Sequence, residues 1–182
     1  SDLYPALEGV CDLSFVGHDD PALLSCDVVF LAVPHTVAMN MVPSFIKRNV
    51  AVFDLSADYR LKDKDIYEAG YGVRHASPEL FEKAVFGLPE IMVEDMHVAH
   101  RRFDMGYEVL VACAGCYPTA TSLAACPAVG LTEGVIVVDA ISGVTGAGRS
   151  ANSRTHFCSA NENFEAYGVA RHRHTPEIEQ IL

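Results

Sequence analysis

Three stretches of this sequence carry residues of the types and spacing that do chemistry. The first is Cys113-Ala-Gly-Cys116-Tyr-Pro-Thr119. A thiol attacks as its thiolate, and Cys116 stands where an apolar run meets a segment that reads as helix, with Pro118 at the expected first helical position. Unpaired N–H groups at a helix start carry partial positive charge, which favours thiolate over thiol. Gly115 removes a side chain where a substrate carbonyl has to approach. The second stretch is His172-Arg-His174, just ahead of Thr175-Pro176-Glu177, a Thr cap followed by proline. A histidine beside a helix start is biased towards the neutral imidazole that a general base must be. The third is Ser142-Gly-Val-Thr-Gly-Ala-Gly148-Arg149, whose glycines let backbone N–H groups approach a ligand. It is not G-x-G-x-x-G, and an ordinary flexible loop has the same composition.

Each stretch has a plainer reading. Free cysteines are most often inert packing, and single histidines are most often structural. Cys113 and Cys116 form C-x-x-C, which with His172 and His174 could close a four-ligand zinc site or, less readily, serve as a redox pair. Pro118 and the apolar run leave little of the usual zinc loop.

The elements that must position these groups are those of an α/β chain. Asp27 to Val33 and Val50 to Leu55 are continuous apolar runs of the kind found in strands covered on both faces. Between them Val37, Met41, Phe45 and Ile46 recur at near-helical spacing and Lys47-Arg48-Asn49 closes the helix. Strand, helix, strand with short connections predicts a parallel unit. Glu108 to Cys113 and Val135 to Ala140 read as two more buried strands, and Leu13 to Val16 as a short one before a turn at Asp19-Asp20-Pro21. Ser77-Pro-Glu79 predicts a capped short helix, Val93 to Gly106 a polar helix, and Ser56 to Glu90 is otherwise loop-rich. The loop Ser56-Ala-Asp58-Tyr-Arg60 follows a strand's carboxyl end, where open α/β sheets bind ligands.

The chain has 182 residues, half of them hydrophobic, so a real core in one or two domains is expected. With 13 basic against 24 acidic residues the formal charge is −11, which disfavours nucleic acid and anionic membrane as partners. An anionic small substrate remains compatible, because Arg60, Arg149, Arg154, Arg171 and Arg173 lie in or beside these motifs. Six cysteines without a paired framework suit a reducing compartment, so no disulfides are expected. No apolar run is long enough to span a bilayer, and the first residues form no signal core, which points to the cytoplasm.

Five stretches together resemble the N-acetyl-γ-glutamyl-phosphate reductase family of arginine biosynthesis. They are Asp54-Leu-Ser-Ala-Asp-Tyr-Arg60, Gly87-Leu-Pro-Glu90, Gly115-Cys-Tyr-Pro-Thr119, Ser142-Gly-Val-Thr-Gly-Ala-Gly-Arg149 and His172-Arg-His-Thr-Pro-Glu-Ile178. The resemblance implies an incomplete doubly wound dinucleotide-binding domain over 1–115, followed over 116–182 by the start of an α+β catalytic domain of the semialdehyde-dehydrogenase type. It implies that Cys116 attacks an acyl phosphate to give a thioester, that NADPH delivers hydride, and that His172 or His174 is the acid/base. Arg60, Arg171 and Arg173 become candidates for holding carboxylate or phosphate, and Pro34, His35, Ser142 and Gly143 for lining the cofactor groove. A homo-oligomer is implied for the full-length protein, and no metal.

Three departures from the family pattern stand out. Cys113-Ala114 replaces the usual Asn-Pro, His100 to Gly106 looks like an expanded loop, and the Gly-rich turn that holds a cofactor pyrophosphate is not found. By the resemblance the chain is an internal piece, expected not to catalyse the reduction by itself. The related reductases of the lysine and aspartate pathways, a zinc-binding module and a non-catalytic remnant are the competing readings.

Overall fold

A computed structural model describes residues 4–11, 13–131, 133–148 and 150–182. Four parallel strands form its sheet: β1 (Val28–Leu31), β2 (Ala51–Asp54), β3 (Ala84–Gly87) and β4 (Leu110–Cys113), in the order β1-β2-β4-β3. The helices are α1 (Ala38–Ile46), α2 (Lys64–Tyr71), α3 (Val93–Asp104), α4 (Cys116–Ala125), α5 (Phe157–Ala160) and α6 (Thr175–Ile181). The parallel α/β reading of the sequence holds. β1 pairs β2 from Val28 opposite Ala51 to Leu31 opposite Asp54, with α1 as the crossover.

Side chains alternate across a strand, so each strand feeds two cores. Val52, Leu110 and Ala112 face α1, whose Ala38, Met39, Val42 and Phe45 are buried, together with Tyr59, Tyr67 and Phe81 from the following loop, α2 and a 3-10 turn. Ala51, Val109 and Val111 face the opposite way, against Ala99 of α3. Coverage on this second face reaches Val28 at the start of β1 but not Phe30. Phe30 stacks on Phe53 at 5.0 Å between ring centroids yet is 68% exposed, where the sequence reading expected cover on both faces.

Other differences have local causes. Leu13 to Val16 and Val135 to Ala140 are exposed and in no strand, because a strand persists only where a neighbour takes up its backbone groups. The turn before the sheet lies at His18 and Asp19, and Asp20 caps a 3-10 helix, Pro21–Ser25, by accepting from the Ala22 N–H at 2.8 Å. Residues 100 to 104, read as an expanded loop, are the last turns of α3. Helix α2 is an element the sequence reading left inside a loop; Asp63 caps it by accepting from Asp65 N and Ile66 N, and Gly72 ends it at φ 69°. Ser77 does not cap the helix it precedes. Its hydroxyl donates to the Met39 carbonyl instead, at 2.8 Å, and meets the Tyr59 hydroxyl at 2.5 Å. Arg149 lies outside the described residues.

Candidate functional site

The carboxyl ends of β1, β2 and β4 converge on one edge of the sheet, and the loops leaving them carry the candidate residues. After β4 the chain turns through Ala114 and Gly115 into α4. Gly115 is the N-cap, so Cys116 is the first helical residue and Pro118 the third, not the first as the sequence suggested. Proline is still tolerated there because the N–H it lacks has no intrahelical partner in the first turn. Cys116 is exposed; Cys113, at the end of β4, is half-buried, and burial pushes its thiol above the ordinary range.

Gly115 is packed in from outside the turn. A β-carbon there would stand 2.7 Å from His174 Nε2 and 2.8 Å from Arg60 Nη1. With φ at −68° its backbone is ordinary, so what glycine supplies at this position is room. On the other side of Cys116, the Tyr117 ring lies 5.1 Å from the His172 ring and 6.0 Å from that of His174. Tyr167 closes the group by donating its hydroxyl to that of Tyr117 at 2.9 Å. Both neighbours of the thiol therefore touch the histidine turn, and α6 packs against α4 beneath it.

His174, rather than Thr175, is the N-cap of α6, and its side chain does not cap. The His174 N–H donates to His172 Nδ1 at 3.2 Å, which fixes neutral His172 as the tautomer with its proton on Nε2. Burial, and then the positive charge of Arg60, hold His174 well below the usual imidazole range, at about 4; His172, Arg173 and His35 act in the same direction. His172 is also lowered, by burial and by Arg173. The neutral form expected from sequence is thus favoured, but for a different reason: burial in a cationic neighbourhood rather than a helix end. His174 Nδ1 is buried without a hydrogen-bond partner.

His35 follows β1. The Ala57 N–H donates to its Nδ1 at 3.0 Å, leaving the proton of the neutral ring on Nε2, and burial with the nearby Arg173 charge favours that neutral form. The Tyr71 ring lies 5.7 Å from the His35 ring and 5.7 Å from the Arg173 guanidinium. The loop that carries His35 is held from below by Asp58, wholly buried, which accepts from Thr36 N at 2.7 Å, Met39 N at 2.9 Å and the Tyr67 hydroxyl at 2.9 Å. Thr36 needs that hold, because its φ of 71° is strained for a β-branched residue.

The structure brings Cys116, His172, His174, Arg173 and His35 to one place, with Pro34 exposed beside His35. It does not bring all the candidates there. Arg60 is 5% exposed, and its Nε and Nη2 donate to the carbonyls of Cys113 and Leu55 at 2.7 and 2.8 Å, so it lies under the site. Arg171 is exposed, its N–H donating to Gly168. Ser142 and Gly143 are exposed on a loop whose hydrogen bonds among the described residues stay within it. Among the described residues no group of three or more His, Cys, Asp or Glu is placed to hold a metal ion, and no helix is long and apolar enough to cross a membrane. Glu177 and Asp58 are the residues sequence reasoning passed over. The signal available was an acid two or three positions from a candidate residue, Asp58 before Arg60 and Glu177 after His174.

Comparison with known proteins bears on the family of the chain. The family description "Semialdehyde dehydrogenase, NAD binding domain" matches residues 1–99, and "Semialdehyde dehydrogenase, dimerisation domain" matches residues 116–182. Curated relatives named N-acetyl-gamma-glutamyl-phosphate reductase include those of Halorhodospira halophila, 46% identical over 100% of this chain and 51% of the relative, and Nitrosococcus oceani, 47% identical over 100% and 52%. The relative from Syntrophobacter fumaroxidans is 46% identical over 99% and 51%. The chain spans about half the length of the curated relatives it matches.

Proposed function

The chain belongs to the semialdehyde dehydrogenase family, and on that premise we propose that its intact protein reduces N-acetyl-γ-glutamyl phosphate to N-acetylglutamate semialdehyde, with NADPH as reductant and release of phosphate. One observation carries the reading: an exposed cysteine at the first turn of a helix, whose neighbours on both sides pack on a pair of neutral histidines.

Cys116 loses its thiol proton to His174 and its sulfur attacks the acyl carbon; an S–C bond forms, the C–O bond to phosphate breaks, and phosphate leaves with the electron pair. A nicotinamide dinucleotide, when bound, supplies the hydride that brings the thioester to the aldehyde level. The S–C bond then breaks, the thiolate of Cys116 is restored, and the aldehyde departs. His174 carries the proton because it is the ring against Gly115, and His172 orders the turn through its Nδ1. The cationic surroundings that keep His174 neutral also favour an anionic substrate, with Arg173 the exposed cation beside it.

The carboxyl ends of a parallel sheet suit a dinucleotide. Pro34 and the Nε2–H of His35 stand there and would line the nicotinamide side of the groove. Ser142 and Gly143 are assigned to the same groove by the resemblance alone. Assembly into a homo-oligomer through residues 116–182, and a cytoplasmic location, complete the reading.

The test is the reverse reaction, followed by the absorbance of reduced nicotinamide with N-acetylglutamate semialdehyde and phosphate, together with mass spectrometry for acyl-Cys116 when acyl phosphate is given alone. Turnover with the semialdehyde of aspartate or aminoadipate in preference to N-acetylglutamate semialdehyde would reassign the substrate. Absence of the acyl adduct would remove the thioester.

A further inference from the structure

We infer that Glu177 is a positioning residue, which together with Arg60 clamps the turn carrying the nucleophile and sets its distance from His174. The inference rests on the reading of Cys116 as nucleophile.

Among the backbone groups that the sheet and the helix leave over at the turn between β4 and α4 are the carbonyl of Cys113 and the N–H of Gly115. Both are taken by buried charged side chains. Arg60 donates from Nε to the Cys113 carbonyl at 2.7 Å, and Glu177 accepts the Gly115 N–H at Oε1, at 2.8 Å. The two side chains meet behind the turn, Nη1 to Oε2 at 3.6 Å, with side-chain exposures of 6% and 3%. Burial raises the Glu177 carboxyl, while the Arg60 charge and the Gly115 N–H hold it down.

Helix α6 adds a second fastening one turn on. Gln180 donates to the Arg60 carbonyl at 3.0 Å and accepts the Lys62 N–H at 2.7 Å. Residues three apart share a helix face, so Glu177 and Gln180 dock α6 on the loop after β2, and His174 at the start of α6 is carried onto Gly115. One acid thus fixes the spacing of two reacting groups that stand 58 positions apart in sequence. A carboxylate suits this better than a neutral acceptor, because it binds an amide N–H and a guanidinium at once.

The test uses the intact protein and three variants. Glu177→Gln keeps an oxygen for the Gly115 N–H but loses the charge facing Arg60. Glu177→Ala loses both. Gln180→Ala loosens α6 and leaves Gly115 covered. Amide hydrogen exchange at Gly115, relative to Leu110 and Val111 of β4, is expected to rise about tenfold or more in Glu177→Ala alone, the mark of a local rather than a global opening. In the reductase assay Glu177→Ala is expected to lose about 30-fold or more in kcat with KM changed less than about threefold, and Glu177→Gln to recover most of that loss. Unchanged exchange at Gly115 in Glu177→Ala, or a Glu177→Gln protein as open at Gly115 as the Ala variant, overturns the inference. If Glu177→Ala does not fold, Glu177→Gln decides alone: exchange at Gly115 near the parental rate is expected, and a rise of about tenfold or more overturns the inference. If the parent protein reduces no acyl phosphate, the proposed function fails while the exchange measurement still judges the clamp.

Discussion

His174 Nε2 stands 2.7 Å from the point a β-carbon on Gly115 would occupy. The contact is closer than a methyl group allows, and Arg60 Nη1 blocks the same point at 2.8 Å. Gly115→Ala must therefore push the histidine or the arginine aside. Expected are a loss of about 1–3 kcal/mol in stability, the usual cost of overpacking, and about a hundredfold in turnover from displaced reacting groups. Denaturant unfolding and steady-state kinetics measure the two. A variant with parental kcat would show that the contact is elastic.

Cys116 is expected to alkylate faster than Cys113 near neutral pH. The first is exposed at a helix start, and the second is half-buried with its thiolate disfavoured by that burial and by the charge of Asp54. Peptide mapping after limiting iodoacetamide reads the order directly. Preferential labelling of Cys113, Cys126 or Cys158 counts against the assignment of the nucleophile.

Exchange of each histidine for asparagine separates their roles. His174→Asn is expected to depress kcat by about a hundredfold or more, whereas His172→Asn mainly raises KM. The pH profile adds a sign. Burial first, and then neighbouring cations, hold His174 at about 4 in the free protein, and an anionic substrate placed beside it offsets the cationic part and raises its pKa. The acidic limb of kcat is therefore expected at higher pH than that of kcat/KM. Coincident limbs, or equal small effects of both substitutions, take His174 out of the mechanism.

Stability against pH contains two opposed contributions. Burial and nearby cations bring His174 from 6.5 to about 4 on folding, so between these values the unfolded chain binds more protons, and stability falls as pH falls. Burial raises Asp54 from 3.8 to about 6, so its contribution is full below the lower value and is lost as pH rises through the upper one. His174→Gln should flatten the decline of Tm on acidification from neutrality, and Asp54→Asn should steepen it. Two variants with the parental profile would refute both assignments.

Asp58→Ala removes the shared acceptor of Thr36 N, Met39 N and the Tyr67 hydroxyl. Leaving buried donors unpaired costs about 1–3 kcal/mol each, so a loss of several kcal/mol and a weaker grip on dinucleotide are expected, since Thr36 adjoins His35. Calorimetry of unfolding and cofactor titration test the pair of effects. Lost affinity without lost stability would place Asp58 in the groove itself.

What the sequence made legible were features encoded locally. The runs that became β1, β2 and β4 are mostly apolar, β2 and β4 because they lie inside the sheet and edge strand β1 because α1 packs on one of its faces, and the motif around Cys116 lies at one continuous turn. Less legible was whatever depended on partners distant in sequence. Val135 to Ala140 has the composition of a strand, but composition does not provide a neighbour. The roles of Arg60 and Glu177 were hidden for the same reason: an arginine in a ligand-facing loop looks alike whether it reaches outward or folds back under the turn. Pro118 and Thr175 misled by one or two positions, since a backbone that starts its helix early leaves the expected cap inside the first turn.

The sheet order also bears on when the thiol acquires its surroundings. β4 lies between β2 and β3, both of which come before it in the chain. During synthesis those two strands must wait, each with an unfilled inner edge, until the ribosome has released the residues that lead straight into Cys116. Insertion of β4 joins β2 to β3 and brings Cys116 to the sheet's carboxyl edge in one event, after which α6 adds the histidines. A chain arrested before this insertion keeps Cys116 as an ordinary cysteine on an unfolded tail. The surroundings of the Cys116 thiol thus wait on the slow, long-range pairing that parallel topology imposes.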